Sequence, residues 1–139
     1  MLAICRSNIG DAIPSSERYL GETNLTDYSP LIVGESYLVH ALLFIFDRVD
    51  FLVGAPEQPP FRVPSNLFDL VDARVPAGWK MCITQSHADY RVLFDEFKIK
   101  YIIEYPLLVN ECQHYLGLVE RDPREAQRFM ERKLECKLD

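Results

Sequence analysis

Residues 37–46, Tyr-Leu-Val-His-Ala-Leu-Leu-Phe-Ile-Phe, constrain the fold of this chain more than any other segment. Drawn as an extended strand, Tyr37, Val39, Ala41, Leu43 and Ile45 share one face, and Leu38, His40, Leu42, Phe44 and Phe46 share the other. A strand that is apolar on both faces has to be covered on both, so it belongs in the middle of a core or in a tightly curled barrel. Asp47 and Arg48 are the expected reversal, and 49–53 the returning strand. The segment is too short to cross a bilayer as a helix, and no run of about 20 apolar residues occurs elsewhere, so no spanning helix is expected.

The remaining elements are read around this hairpin. Met1 to Arg6 is a short apolar strand. Residues 14–30 form a long polar connection rich in turn formers, of the kind that is often functional or mobile. Pro56, Pro59 and Pro60 mark a loop, and Phe61 to Val63 a short strand ending at Pro64. Ser65 caps one helical turn. Leu70 to Val75 is extended. Trp79, Met81 and Ile83 alternate with Lys80, Cys82 and Thr84, as in a half-buried strand, and Phe97, Ile99, Tyr101 and Ile103 alternate with Lys98, Lys100, Ile102 and Glu104 in the same way. Residues 85–96 between them are a short helix or a loop. Asn110 with Gln113 resembles a capping box, and Gly117 suits a helix end. The strongest helix signal comes last. Asp122 is a cap, Pro123 sits at the first helical position, and Ala126, Phe129, Met130, Leu134 and Leu138 make one apolar stripe.

The expected fold is therefore α+β: a curved, mainly antiparallel sheet or small SH3-like barrel with a C-terminal helix packed on it, a partly open sheet being the alternative. A length of 139 residues suits one domain, 1–139, with a loop at 14–30, mainly β structure over 31–105 and helical structure over 106–139. The start of the chain has neither the basic residues nor the apolar length of a signal peptide, which points to the cytoplasm. Cys5, Cys82, Cys112 and Cys136 are widely spaced, and in that compartment they are expected as buried thiols.

Net charge is −6, the wrong sign for a phosphate-binding protein, so no nucleic-acid partner is expected. From Pro14 to Asp72 nine acids meet three bases, and this excess favours either a basic protein partner or simply solubility. Among candidate chemistries, Cys112 and His114 form the only close metal-ligand pair, and they lack the paired spacing of a structural zinc site. No metal and no cofactor are expected, since dinucleotide, phosphate-loop and zinc-protease patterns are all missing. Cys82, His87 and Asp89 have the residue types of a nucleophile with its base. Yet Cys82 shares its strand face with Lys80 and Thr84, and no glycine-rich turn presents it. No catalytic residues are assigned.

Two stretches carry a family resemblance. The first is Leu31-Ile-Val-Gly34-Glu-Ser-Tyr37-Leu-Val39, which looks like the opening strand of a small SH3-like barrel. The second is Phe61-Arg-Val-Pro64-Ser-Asn-Leu67-Phe68-Asp69-Leu-Val-Asp72-Ala-Arg74-Val75-Pro76-Ala-Gly78-Trp79. Over about 31–119 the chain resembles bacterial immunity proteins of contact-dependent inhibition and polymorphic toxin systems. That resemblance implies a non-enzymatic inhibitor whose partner is a cognate toxin. Toxins that cut nucleic acid are often basic, so an acidic inhibitor can cover such a site and associate quickly. The interface is expected on the acidic first half: loop 14–30, Asp47 and Asp50, Glu57, and Asp69 with Asp72. Tyr19, Tyr28 and Phe61 are the candidate aromatic anchors there. A small SH3-like interaction module and a cysteine enzyme using Cys82 are the alternatives, and the oligomeric state stays open.

Overall fold

Strand β2 (Ser36–Ile45) is the axis of an open, antiparallel, seven-stranded sheet in the computed structural model of the chain. Residues 1–54, 60–105, 118 and 122–138 are described, with side chains as far as 131. The other strands are β1 (Leu2–Cys5), β3 (Arg48–Gly54), β4 (Phe61–Pro64), β5 (Phe68–Asp72), β6 (Lys80–Ile83) and β7 (Ile99–Glu104). Two α-helices, α1 (Arg91–Phe97) and α2 (Pro123–Leu138), and four short 3-10 turns complete the described elements.

On one side β2 pairs with β3 along most of its length, and β4 lies beyond. On the other side it pairs with two strands laid end to end. Leu38 to Ser36 face Leu2 to Ile4 of β1, while Ala41 to Ile45 face Glu104 to Ile99 of β7. The outer row repeats this arrangement, with β5 on β1 and β6 on β7. The described pairings leave β4, β5 and β6 as edges, so they do not close into a barrel.

The changeover between β1 and β7 has a structural consequence. Val39 pairs with Val53 and Ala41 with Leu52, so His40 is one extra residue, a β-bulge. The bulge shifts the alternation of β2 by one. Tyr37, Val39, Leu42 and Phe44 pack into a core on one face, with Leu31, Phe51, Val63, Leu67 and Phe68. Ala41, Leu43 and Ile45 pack into a second core, with Leu52, Leu93, Ile102, Leu118 and Phe129. β2 is buried on both faces, as its composition requires, but the strict odd-even division expected from sequence is replaced by one that switches at His40.

The same effect corrects the outer strands. Lys100 is an extra residue in β7, between the Phe44–Tyr101 and Ile45–Ile99 pairs. Ile99, Ile102 and Glu104 are therefore buried, and Tyr101 is exposed. In β6 the row taken as apolar faces out: Met81 is 57% exposed and Ile83 46%, whereas Cys82 and Thr84 are buried. Thr84 secures this choice, because its hydroxyl reaches the carbonyls of Ile99 and Lys100 at the β7 bulge, 2.5 and 3.0 Å away.

Local signals are met where they depend on near neighbours. Asp122 accepts a 2.9 Å hydrogen bond from the Arg124 N–H and caps α2. Phe129 is buried against the sheet, Met130 is partly buried, and Glu125 pairs with Arg128 at 3.2 Å. A Cβ on Gly54 would stand 3.4 Å from Phe129 Cε1, so the helix sits directly on this glycine. Residues 84–86 form a tight turn leading to α1, which Lys98 ends in the left-handed region at φ 58°. Ser65–Leu67 makes the expected turn, but Pro64 stands at its cap position and no side chain caps it, so Ser65 is its first residue rather than its cap; Cys5 and Cys82 are buried thiols. The reversal between β2 and β3 falls on Phe46 and Asp47, one residue earlier than expected. The capping box at 110–113, Gly117, Cys112, His114 and the side chains of Leu134, Cys136 and Leu138 lie outside the described residues.

Candidate functional site

β3 opens on Arg48-Val-Asp50, which puts a base and an acid on one strand face, pointing toward the helix-side core. Charges there are costly unless paired. Arg48 is 2% exposed and Asp50 1%. Arg48 Nε donates to Asp50 Oδ1 at 2.8 Å, and Nη2 to Oδ2 at 3.1 Å, a bidentate fork. Its Nη1 donates to the Glu17 carbonyl at 2.8 Å and to the Glu22 carboxylate. Arg62 of β4 approaches Asp50 from the other side, Nε to Oδ2 3.5 Å.

Glu17 and Glu22 belong to the 14–30 loop, so this network pins the loop to the sheet. Further ties hold it in place. Arg18 donates to the carbonyl of Ile13 at 3.0 Å and to Asn24, and the Gly10 N–H donates to the Thr26 carbonyl at 2.8 Å. Gly10 is needed there, because a Cβ at this position would strike the Thr23 carbonyl. The long polar connection is a folded flap rather than a loose tether.

Charge states follow from this packing. Burial pushes the Asp50 carboxyl above its ordinary range, with Arg48 and then Arg62 pulling against it. Burial acts on Glu22 in the same direction and is the largest single influence, but the Arg48 hydrogen bond, the backbone N–H groups of Glu22 and Leu20 and the Arg48 charge together hold that carboxyl below its ordinary range. Tyr28, half-buried beside them, is pushed up to about 12 by burial and then by the Glu22 charge.

At the outer end of this network the hairpin tip carries a stack of four side chains. The Arg48 guanidinium lies 5.8 Å from the Tyr19 ring centre. The Tyr19 ring lies 4.8 Å from that of Phe46, and the Lys100 ammonium lies 5.6 Å from Phe46. Tyr19 also donates its hydroxyl hydrogen to the exposed Asp47 carboxylate. Phe46 is 48% exposed and holds φ 50°, the left-handed region that glycine or asparagine adopts more cheaply.

Of the residues expected at an interface, Tyr19 and Asp47 meet at this tip. Asp50 does not reach the surface, since it is spent on Arg48, and Tyr28 borders the buried network. Phe61 is half-buried against the core that holds Phe51, Val63 and Phe68. Asp69 and Asp72 lie on β5, separated from β3 by β2 and β1. Asp72 is engaged with Arg74, which donates to both its oxygens at 2.9 and 2.7 Å and holds its carboxyl below the usual range. Glu57 lies outside the described residues. Phe46, Arg48 and Glu22 were not singled out by sequence reasoning. One signal was available, because a two-residue hairpin loop made of Phe-Asp instead of Asn-Gly is unusual.

The possible cysteine chemistry has little geometry behind it. The Cys82 thiol faces the helix-side core, 5% exposed. His87 Nδ1 accepts the N–H groups of Asp89 and Tyr90 at 3.2 and 3.4 Å and so shapes the turn into α1. Among the described residues, no three His, Cys, Asp or Glu side chains gather into a metal-holding group, and no helix is long and apolar enough to cross a membrane. No protein-family model, curated protein or solved structure matches the chain.

Proposed function

We propose that this chain is a non-enzymatic, protein-binding immunity factor that neutralises a cognate toxin in the cytoplasm and engages it through Tyr19, Phe46 and Asp47. The observation that carries this reading is Phe46. A half-exposed aromatic in a left-handed turn costs on the order of 1 kcal/mol of folding stability. It is stacked and held in place, which removes much of the entropy cost of using it as an anchor. The buried Arg48 network fixes the flap that carries Tyr19, so the tip is organised before any partner arrives. The exposed Asp47 carboxylate and the net charge of −6 suit a basic toxin.

A small SH3-like interaction module is the second reading, favoured by the bulged β2–β3 hairpin. It would use the same tip for a different partner. The cysteine enzyme has the least support, because its thiol faces the core.

The test is stopped-flow association of the purified chain with the product of the adjacent gene, together with protection of a nuclease substrate or of growing cells. Phe46→Ala should weaken binding about 30-fold, the effect of losing a residue worth ~2 kcal/mol. Asp47→Lys should slow association, mostly at low salt. If the neighbouring product is neither bound nor neutralised, the immunity reading fails. If Phe46→Ala binds within twofold of the parent, the tip is not the anchor.

A further inference from the structure

Glu104 closes β7 at the level where the inner row of the sheet passes from β7 to β1. It pairs in register with Ala41 on one side and Lys80 on the other. Its side chain is on the same face as Ile102, toward the helix-side core, and Glu104 is 0% exposed. Neither carboxyl oxygen has a hydrogen-bond partner among the described residues. The buried cluster on this face includes Ala41, Ile102, Tyr105 and Phe129, and Ala41 is paired with Glu104 in register. The ionisable groups on this face, among the described residues, fall into two sets. Arg48 and Asp50 on β3, Arg62 on β4 and Glu22 are paired with one another at the hairpin end. Nearer the β7–β1 seam are His40 on β2, Lys80 and Cys82 on β6, Tyr105 after β7, Tyr90 before α1, and Glu125 with Arg128 on α2. His40 stands edge-on to Phe129, with ring centres 4.6 Å apart, Lys80 is exposed at the sheet edge, and Glu125 is paired with Arg128.

A carboxylate cannot stay in such a place without a partner, whereas a neutral carboxylic acid can. We infer that Glu104 is a proton-operated latch, which when neutral lets β7 and Phe129 of α2 share one core and when ionised forces that contact open toward Lys80 and solvent. Burial holds its carboxyl well above the usual range, in keeping with a neutral closed state. This inference is independent of the proposed partner.

The sign of the effect is fixed by linkage. Well below the ordinary carboxyl range, both the folded and the unfolded chain hold the proton. Above that range the unfolded chain releases it and the closed chain does not. Stability therefore falls as pH rises, until the closed state itself titrates or opens.

Trp79 provides a reporter. It is the only tryptophan, it precedes β6 next to Lys80, and it packs against both cores. The experiment compares the full chain with Glu104→Gln from pH 5 to pH 10, by urea unfolding and by Trp79 fluorescence without denaturant. The folding constant of the parent, relative to that of the variant, should fall about tenfold per pH unit over the first units above the ordinary carboxyl range. The native parent should show a Trp79 fluorescence transition at constant far-ultraviolet circular dichroism, and the variant should lack it. Should Glu104→Gln fold poorly, Glu104→Leu removes the proton while keeping the site apolar and must give the same loss of pH dependence. Parallel stability curves for parent and variant, or a fluorescence transition that persists in both variants, would overturn the latch.

Discussion

The helix-side face of the sheet buries acid at two places, and the two are treated in opposite ways. At the hairpin end, Asp50 receives two bonds from Arg48, a second positive charge from Arg62, and a share of a network that also holds Glu22 and the Glu17 carbonyl. At the seam between β7 and β1, Glu104 is buried at least as deeply and has no hydrogen-bond partner among the described residues. The first arrangement fixes a flap in one position, because every charge that is buried has its counter-charge beside it. The second stays closed only while it stays neutral. Burial alone therefore does not say whether an acid strengthens a fold. The number of donors aimed at it decides.

The largest expected effect tests the paired site. Arg48→Met leaves Asp50 and Glu22 buried without their cation and should cost about 3–5 kcal/mol in urea unfolding. A loss below about 1 kcal/mol would mean that the network behaves like a surface ion pair and that the contrast with Glu104 is false.

Next is the apolar packing that surrounds the lone acid. Phe129→Ala should cost about 3 kcal/mol or more, since the ring is buried over Gly54 and His40. An unchanged unfolding midpoint would detach α2 from the core and from Glu104.

At the seam the expected sign reverses. Glu104→Leu should raise stability at pH 8 by about 1–3 kcal/mol, because it removes a buried polar group that has no compensating bond. A loss of stability there would show that the carboxyl is compensated.

Acid sharpens the comparison from the other side. The folded Glu22 carboxyl lies below its ordinary value, so its contribution is present above about pH 4.3 and is lost as pH falls through the folded value. Glu22→Gln should remove about 1 kcal/mol of stability at pH 7 and flatten the acid limb of the stability curve. Persistence of the whole acid limb in Glu22→Gln would assign it to other carboxylates.

The smallest effect concerns the tip. Phe46→Gly relieves the left-handed backbone but loses the Tyr19 stack, so stability should stay within about 1 kcal/mol of the parent while partner binding weakens. A variant destabilised by more than about 2 kcal/mol would mark Phe46 as a structural residue rather than an anchor.

About half of the candidate site was legible. Tyr19 and Asp47 were both named from sequence, and the structure brings them into contact at the hairpin tip, because a polar loop and a hairpin turn announce themselves locally. Asp50 was misread as a surface charge. Two residues before it stands Arg48, and nothing in that spacing says whether the pair faces water or a core. Asp69 and Asp72 were grouped with Asp47 on charge alone, and the strand order puts β2 and β1 between them. Phe46 passed as one more apolar residue of an alternating strand, since its exposure follows from where the chain turns.

By itself the sequence determined the features that need only a few adjoining residues. These include the Asp122 cap ahead of Pro123, the Ser65 turn, the β2–β3 hairpin and the need to bury β2 on both sides. The tertiary structure decided which residues each face buries. Side chains alternate with period two, so one extra residue exchanges the faces for the rest of the strand. The extra residues at His40 and Lys100 are fixed by strands far away in the chain, β1 and β7, meeting end to end along β2. That meeting put Cys82 inward and Met81 outward, and it buried Glu104 on the side of the helix-side cluster. Such placements depend on long-range pairing, which no local window of sequence contains.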